Sequence, residues 1–380
     1  MLFTAVLLVG MTACGNSQQA AAPASSGEAA SAAPSSEAAK SGGTDVGIIL
    51  PTKDEPRWVQ DETRFRDALK DTKYSVDVLF SQGSSAKEKE NVEALMAKGI
   101  KVLVICPQDA SAAAAAVDEA KEEGITVISY DRLITDTKSV DYYVTFDSVS
   151  VGKAQGQYLI DKATGKGNPL YLYAGAATDN NAFLFFEGAW DVLQPKIADG
   201  TFAIKNSSEA VALQSKATLT RDEMSKIIAQ ITTNWDFNEA KNKAEAHLTS
   251  AKAADKGNVF ILAPNDGTAR SIADVFAADT DIKSYVITGQ DAEKASIQYI
   301  IDGKQSMTVF KDVRILVKDA IGMAVDILEG KTPETTGTYN NKVVDVKAKQ
   351  TEVQVVDASN VKSAIVDSGY YEASEFKNLK

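Results

Sequence analysis

The chain has 380 residues, 40 Lys and Arg against 52 Asp and Glu for a formal net charge of −12, and is 44% hydrophobic and 24% charged. That length allows two α/β bodies of ordinary domain size, and the composition is that of a soluble globular protein. The acidic balance argues against nucleic acid as a partner and against electrostatic docking on anionic lipid. One histidine (His247) and two cysteines (Cys14 and Cys106) cannot assemble a metal site at the usual Cys and His spacings, so neither metal nor cofactor is expected.

Residues Leu2 to Met11 are almost wholly apolar. The run is far shorter than the roughly 20 residues that span a bilayer, and it suits the core of a signal peptide. It ends in Met11-Thr12-Ala13-Cys14, which resembles a bacterial lipobox with Cys14 as the acylated residue. No basic residue precedes the run, so a start upstream of Met1 is expected. From Gly15 to Gly43 there is no large apolar side chain to offset the entropy of ordering. Segment 1–14 therefore reads as signal and 15–44 as a disordered tether with a reach of roughly 30 Å.

From Asp45 onward, short β-branched runs alternate with amphipathic stretches, the pattern of a parallel sheet with crossover helices. Strands are predicted at Val46–Leu50, Val76–Phe80, Lys101–Cys106, Thr126–Tyr130 and Tyr142–Phe146, with helices at Arg57–Asp71, Ala86–Lys98 and Ser111–Glu123. Cys106, ending one of these strands, reads as a small buried hydrophobe. The pattern then starts over, with strands at Leu170–Ala174, Phe202–Lys205, Val259–Ala263, Tyr285–Thr288 and Met307–Phe310. A helix at Arg314–Leu328 and β-rich sequence at Lys342–Val346 and Glu352–Val356 complete the chain. The expected fold class is α/β, with two doubly wound parallel-sheet lobes.

Ligands of such sheets bind beyond the carboxyl ends of the strands. Those positions carry Lys53, Arg57 and Trp58, then Asp131-Arg132, then Asp179-Asn180-Asn181, Asn265-Asp266, Gln290-Asp291 and Lys311. A monosaccharide presents hydroxyls that both donate and accept, plus a patch of C–H groups. Asp131, Asp291, Asn181 and Asn265 suit the mixed acceptor and donor work, and Lys53, Arg57, Arg132 and Lys311 suit donation. Trp58 and Trp235 would supply aromatic walls. Charged loop residues are usually solvated and a lone Trp is usually core, so the reading rests on recurrence at successive strand ends.

Residues 45 to about 372 resemble the xylose and multiple-sugar-binding branch of the periplasmic sugar-binding proteins, which serve ABC importers. The resemblance is carried by Pro51-Thr-Lys53 with Arg57-Trp58, Tyr130-Asp-Arg-Leu-Ile134, Thr145-Phe-Asp147, Asp179-Asn-Asn-Ala182, Asn265-Asp266, Gly289-Gln-Asp-Ala-Glu293, Thr308-Val-Phe-Lys311 and Gly369-Tyr-Tyr371. It implies that Lys53, Arg57, Trp58, Asp131, Arg132, Asn181, Trp235, Asn265, Asp291 and Lys311 line a sugar cleft, with Asn180 or Asn181 facing the ligand. Ser207–Gln230 departs from the family pattern, and the alternating Asp and Asn calcium loop of the glucose/galactose-binding relatives is not visible.

The resemblance further implies two lobes, 45–147 with 312–347 and 148–311 with 348–380. Three chain crossings would join them, near Phe146–Asp147, Lys311–Asp312 and about Val346, and the lobes would close on the sugar as a hinge. The expected protein is an extracytoplasmic, lipid-anchored monomer that hands a monosaccharide to an ABC permease. A chemoreceptor or sensor kinase is the alternative reader of the closed form. A glycoside-acting enzyme is disfavoured because cations flanking Asp131 and Asp291 would hold both ionised, leaving no proton donor. A sugar-responsive repressor is disfavoured because signal and tether stand where its DNA-binding helices would be.

Overall fold

The computed structural model describes residues 43–379 except Asp71; the expected signal, Cys14 and nearly all of the tether lie outside the described residues. Strand and helix alternate as β1 (Val46–Leu50), α1 (Pro56–Lys70), β2 (Val76–Phe80), α2 (Ser85–Ala97), β3 (Val102–Ile105), α3 (Ala114–Glu122), β4 (Thr126–Tyr130) and β5 (Tyr142–Phe146). The second run is α4 (Ser148–Lys162), β6 (Asn168–Leu172), α5 (Asn180–Ala198), β7 (Phe202–Ile204), α6 (Ser208–Ala212), α7 (Arg221–Ile231), α8 (Phe237–Ser250), β8 (Gly257–Leu262), α9 (Asp266–Ala278) and β9 (Ile282–Ile287). It continues through α10 (Lys294–Ile301), β10 (Met307–Phe310), α11 (Val313–Leu328), β11 (Gly337–Asn340), β12 (Asp345–Thr351) and β13 (Gln354–Asp357).

Two main sheets result. The first has seven strands in the order β11-β12-β5-β4-β3-β1-β2, and the second four in the order β7-β6-β8-β9. β1 and β3 are buried along their whole length, because a parallel strand covered by helices on both faces must be apolar throughout. The period of two sorts their side chains. Val46, Ile48 and Leu50 pack with Phe65 and Leu69 of α1 and Leu316 and Val317 of α11, whereas Ile49, Leu103 and Ile105 pack with Val92 and Leu95 of α2 and Val117 of α3. The second sheet repeats the arrangement: Leu170 and Leu172 meet Phe183, Phe186 and Trp190 of α5, and Tyr171 meets Ile272 and Phe276 of α9. Each such large side chain, fully buried, contributes about 1.5–3 kcal/mol by leaving water.

The expected α/β class with parallel-strand sheets is found, with β11 added antiparallel to β12 and β10 paired antiparallel with β13. Two finer points of the chain path differ. Lys342–Val346 is a turn and the start of β12; β11, just upstream, went unpredicted because Gly337-Thr-Tyr-Asn340 is polar and mostly exposed at the sheet edge. Finally, β12 pairs with β5 as far as Thr351, so the third crossing lies at 352–353 rather than near Val346. In the region of poor family match, Ser207 caps α6, and Thr220 with Glu223 forms a capping box that starts α7.

The crossings lie side by side. Asp147 N–H donates to the Thr351 carbonyl at 3.0 Å. Asp147 and Asp312 each cap the helix that follows, accepting from Ser150 N–H and Arg314 N–H, so each crossing peptide turns directly into a helix.

Candidate functional site

The loops at the strand carboxyl ends of both sheets converge on one narrow cleft. From the first lobe come Glu55, Arg57, Trp58, Asp131 and Arg132; from the second come Asp179, Asn181, Phe185, Trp235, Asn265, Gln290, Asp291 and Lys311. Nine residues expected from the sequence are therefore together: Arg57, Trp58, Asp131, Arg132, Asn181, Trp235, Asn265, Asp291 and Lys311.

Two expected residues are elsewhere. Lys53 has 60% of its side chain exposed, lies 3.3 Å from Glu62 and sits over the Phe80 ring, so it belongs to the outer face of α1 and β2. Asn180 accepts from Arg221 on the surface, at 2.9 Å. Its neighbour Asn181 is the one that lines the cavity, because consecutive residues of a helix point about 100° apart.

Charge organises the centre. Arg57 donates from Nε to Asp61 at 2.7 Å, from Nη2 to Asp131 at 2.9 Å and from Nη1 to Asp291 at 3.2 Å. Lys311 Nζ lies 2.8 Å from Asp291, and Tyr130 OH donates to Asp61 from below. The Arg57–Asp291 contact joins the two lobes. Burial alone would push the Asp131 carboxyl up, but Lys311, Arg57 and Arg132 outweigh it and hold it below the usual carboxylate range. Asp131 is thus an ionised acceptor.

A second group surrounds Arg132, whose Nε lies 3.0 Å from Asp179 and whose Nη2 lies 3.7 Å from Glu55. Burial raises Glu55 to about 7 against the pull of Arg132, and burial raises Asp179 as well. The expectation that the site holds no protonatable carboxyl group is corrected at Glu55, where a distant, shared guanidinium does not offset desolvation. The indole of Trp58 is flanked by the guanidinium groups of Arg57 and Arg132, 4.9 and 5.2 Å from its ring centre.

Backbone strain collects at the same place. Asp131, Trp235 and Asp291 have φ of 59°, 61° and 101°, a region L residues avoid and occupy when their surroundings force it. Asp131 N–H is tied to the Val144 carbonyl at 2.8 Å and Asp291 N–H to the Val309 carbonyl at 2.9 Å. The Asp131 carbonyl is held by Asn181 Nδ2 at 2.8 Å and by Tyr143 OH at 2.7 Å. Asn181 is consequently spent largely on positioning Asp131 across the lobes.

Two buried polar atoms of cleft-lining residues make no hydrogen bond, Trp235 Nε1 and Gln290 Oε1, whereas the Trp58 indole N–H is directed at the Glu55 carboxyl group. A buried donor and a buried acceptor left bare are costly unless a polar ligand meets them. Glu55, Asp179, Phe185 and Gln290 complete the lining without having been assigned to the cleft from the sequence. Asp179 and Gln290 stand among the strand-end residues named from the sequence, and Glu55 lies in the first of those loops. Phe185 had a fainter signal, lying four residues after Asn181 and so on the same face of α5.

With this geometry in view, comparison with known proteins is decisive. The model of the periplasmic binding protein domain matches residues 46–332. The chain belongs to that family. Among its relatives, the multiple sugar-binding periplasmic protein SbpA of Azospirillum brasilense is 35% identical over 87% of this chain and 91% of that protein. The D-xylose-binding periplasmic protein of Escherichia coli K12 is 29% identical over 87% of this chain and 92% of that protein. A solved carbohydrate transporter solute-binding protein from Chloroflexus aurantiacus, in complex with D-glucose, superposes with a TM-score of 0.87 at 72% identity, covering 89% of this chain and 99% of that one. The resemblance noted in the sequence is thus borne out, and with it an extracytoplasmic setting for the family.

Proposed function

We propose that this periplasmic binding protein captures one aldose monosaccharide between its lobes and delivers it to an ABC permease. The observation that carries the reading is a cleft walled by both lobes and lined by charged acceptors and donors, with the bare Trp235 indole N–H and Gln290 amide oxygen among them. The D-glucose complex of the 72% identical relative makes glucose the first ligand to test, with xylose, galactose and arabinose beside it. In this reading Asp131, Asp291 and Asn265 receive and orient sugar hydroxyls, Arg57, Arg132 and Lys311 donate to ring-plane oxygens, and Trp58 and Trp235 cover the C–H faces.

The lobes are taken as 45–147 with 312–351 and 148–311 with 354–379. The three adjacent crossings act as the hinge, and sugar favours closure because it binds groups on both lobes at once. Catalysis is not part of the proposal; the named relatives are binding proteins, and the ionised Asp131 serves as an acceptor. Attachment to the membrane through an acylated Cys14 is proposed from the lipobox-like run alone. Cys14→Ser should then move the protein from the membrane fraction to the soluble fraction, and unchanged membrane association would refute the anchor.

Calorimetry and thermal-shift titration with the four aldoses test the sugar reading. Trp58→Ala and Asp291→Ala are expected to abolish sugar-induced stabilisation while the far-ultraviolet dichroism stays native. Undiminished binding in both variants would overturn the site, and a parent protein that answers to none of the sugars would overturn the function.

A further inference from the structure

Trp235 is the aromatic wall supplied by the second lobe, and its seat is unusual. A Cβ built on Gly175 would fall 2.0 Å from Cζ2, 2.1 Å from Cη2 and 2.4 Å from Cε2 of the indole, so the ring rests directly on the glycine backbone. The loop bearing it is anchored in the same way two residues later, where Phe237 lies on Gly267 with Cε1 2.0 Å from the position of a Cβ. Asn234 and Trp235 both adopt left-handed φ, 51° and 61°. Thr232 Oγ1 donates to the Gly175 carbonyl at 2.8 Å, and Thr233 N–H to the Ala174 carbonyl at 2.8 Å, so loop and seat form one unit. Gly175 itself has no left-handed φ, so its backbone does not demand glycine; the indole does.

We propose that Gly175 is a specificity-determining position: by carrying no side chain it lets the Trp235 indole recess into the second lobe, and the depth of that recess sets how large a sugar fits opposite Trp58. The proposal rests on the sugar-binding reading above. Carbon atoms in ordinary contact sit about 3.5–4.0 Å apart, so a methyl group at Gly175 must displace the indole by roughly 1.5–2 Å. Phe185 meets the indole edge-on at 6.3 Å, and the ring borders both the sugar cleft and the open space beside Asp236 and Phe237. Displaced from Gly175 into the cleft it lines, the ring leaves less room for a sugar. A hexopyranose carries one hydroxymethyl group more than the corresponding pentopyranose and loses more from the narrowing. A misfit of one such group is worth about 10–200-fold in discrimination.

The test is calorimetric titration of D-glucose and D-xylose into the parent protein, Gly175→Ala, Trp235→Phe and the double variant. Gly175→Ala is expected to weaken glucose by at least about tenfold relative to xylose. The double variant removes the ring atoms that clash, so it folds even if the single one does not, and it should bind glucose within a few-fold of Trp235→Phe alone. An unchanged glucose-to-xylose ratio in Gly175→Ala, or no recovery in the double variant, overturns the proposal while leaving sugar binding intact. A parent protein that binds neither sugar overturns both.

Discussion

Arg57→Met probes the charge cluster on which the cavity is built. The guanidinium is 3% exposed and is shared by three carboxylates, Asp61, Asp131 and Asp291, with Lys311 the other cation in contact with two of them. Removing one partner of a buried ion pair costs about 3–5 kcal/mol, because the remaining charge is left desolvated and unpaired. Asp61 loses its ion-pair partner outright while Asp131 and Asp291 keep Lys311, so a cost within that range is expected at neutral pH. The sign of the pH dependence follows from linkage. Without Arg57, burial at Asp61 is opposed by no neighbouring guanidinium, and its folded-state value, already above the ordinary 3.8, rises further. A carboxyl group raised in this way supports the fold at low pH and ceases to do so as pH climbs through its folded value. The deficit of the variant should thus be largest at about pH 8 and shrink as pH falls toward about 5. Urea denaturation followed by tryptophan fluorescence at the two pH values measures it, since Trp58 stacks on the residue removed. A deficit below about 1 kcal/mol, the level of an exposed ion pair, would refute the argument, as would one that grows on acidification.

Two further substitutions test other parts of the structure. Glu88 is buried at the start of α2; its Oε2 accepts from Ser81 Oγ and Gln108 N–H, and its Oε1 has no partner. Burial raises it from 4.5 to about 7, so the parent protein loses stability as pH rises through that value, by up to roughly 3 kcal/mol. Glu88→Gln should remove that loss, gaining on the parent between about pH 5 and pH 8, and a pH-independent difference in denaturation midpoint would contradict it. Gly188→Ala tests the crossing of α4 and α5, where a Cβ would lie 2.0 Å from the Val149 carbonyl oxygen. Because backbone and not a flexible side chain blocks it, a loss of about 3 kcal/mol is expected, measured as a lower melting temperature with weaker sugar stabilisation through the displaced Asn181 and Phe185; an unchanged melt would show that the helices can separate at no cost.

His247 lies on α8 with Nδ1 between Asn206 Nδ2 and Tyr173 OH, and burial lowers it to about 4. It is a packing residue of the second lobe, as an isolated histidine on a helix generally is.

The alternation of strand and helix, the restart after Tyr142–Phe146 and the line of polar residues at strand ends were all legible in the sequence, because periodicity and turn chemistry are local properties of the chain. Nine cavity residues could be named from those strand ends and the family resemblance. What only the tertiary structure decided was direction and depth. Lys53 and Glu55 share one loop, yet Glu55 faces the cavity and Lys53 the solvent, and only the three-dimensional placement of Arg132 and Glu62 distinguishes them. Asn180 and Asn181 differ by one helical step. β11 exists because β12 offers it an edge, and the third crossing falls after Thr351 because β5 pairs with β12 to its end. The seat of Trp235 on Gly175 joins residues 60 apart in the chain, and no pattern within either segment announces it. Contacts of that kind are set by packing between elements, which periodicity along the chain does not encode.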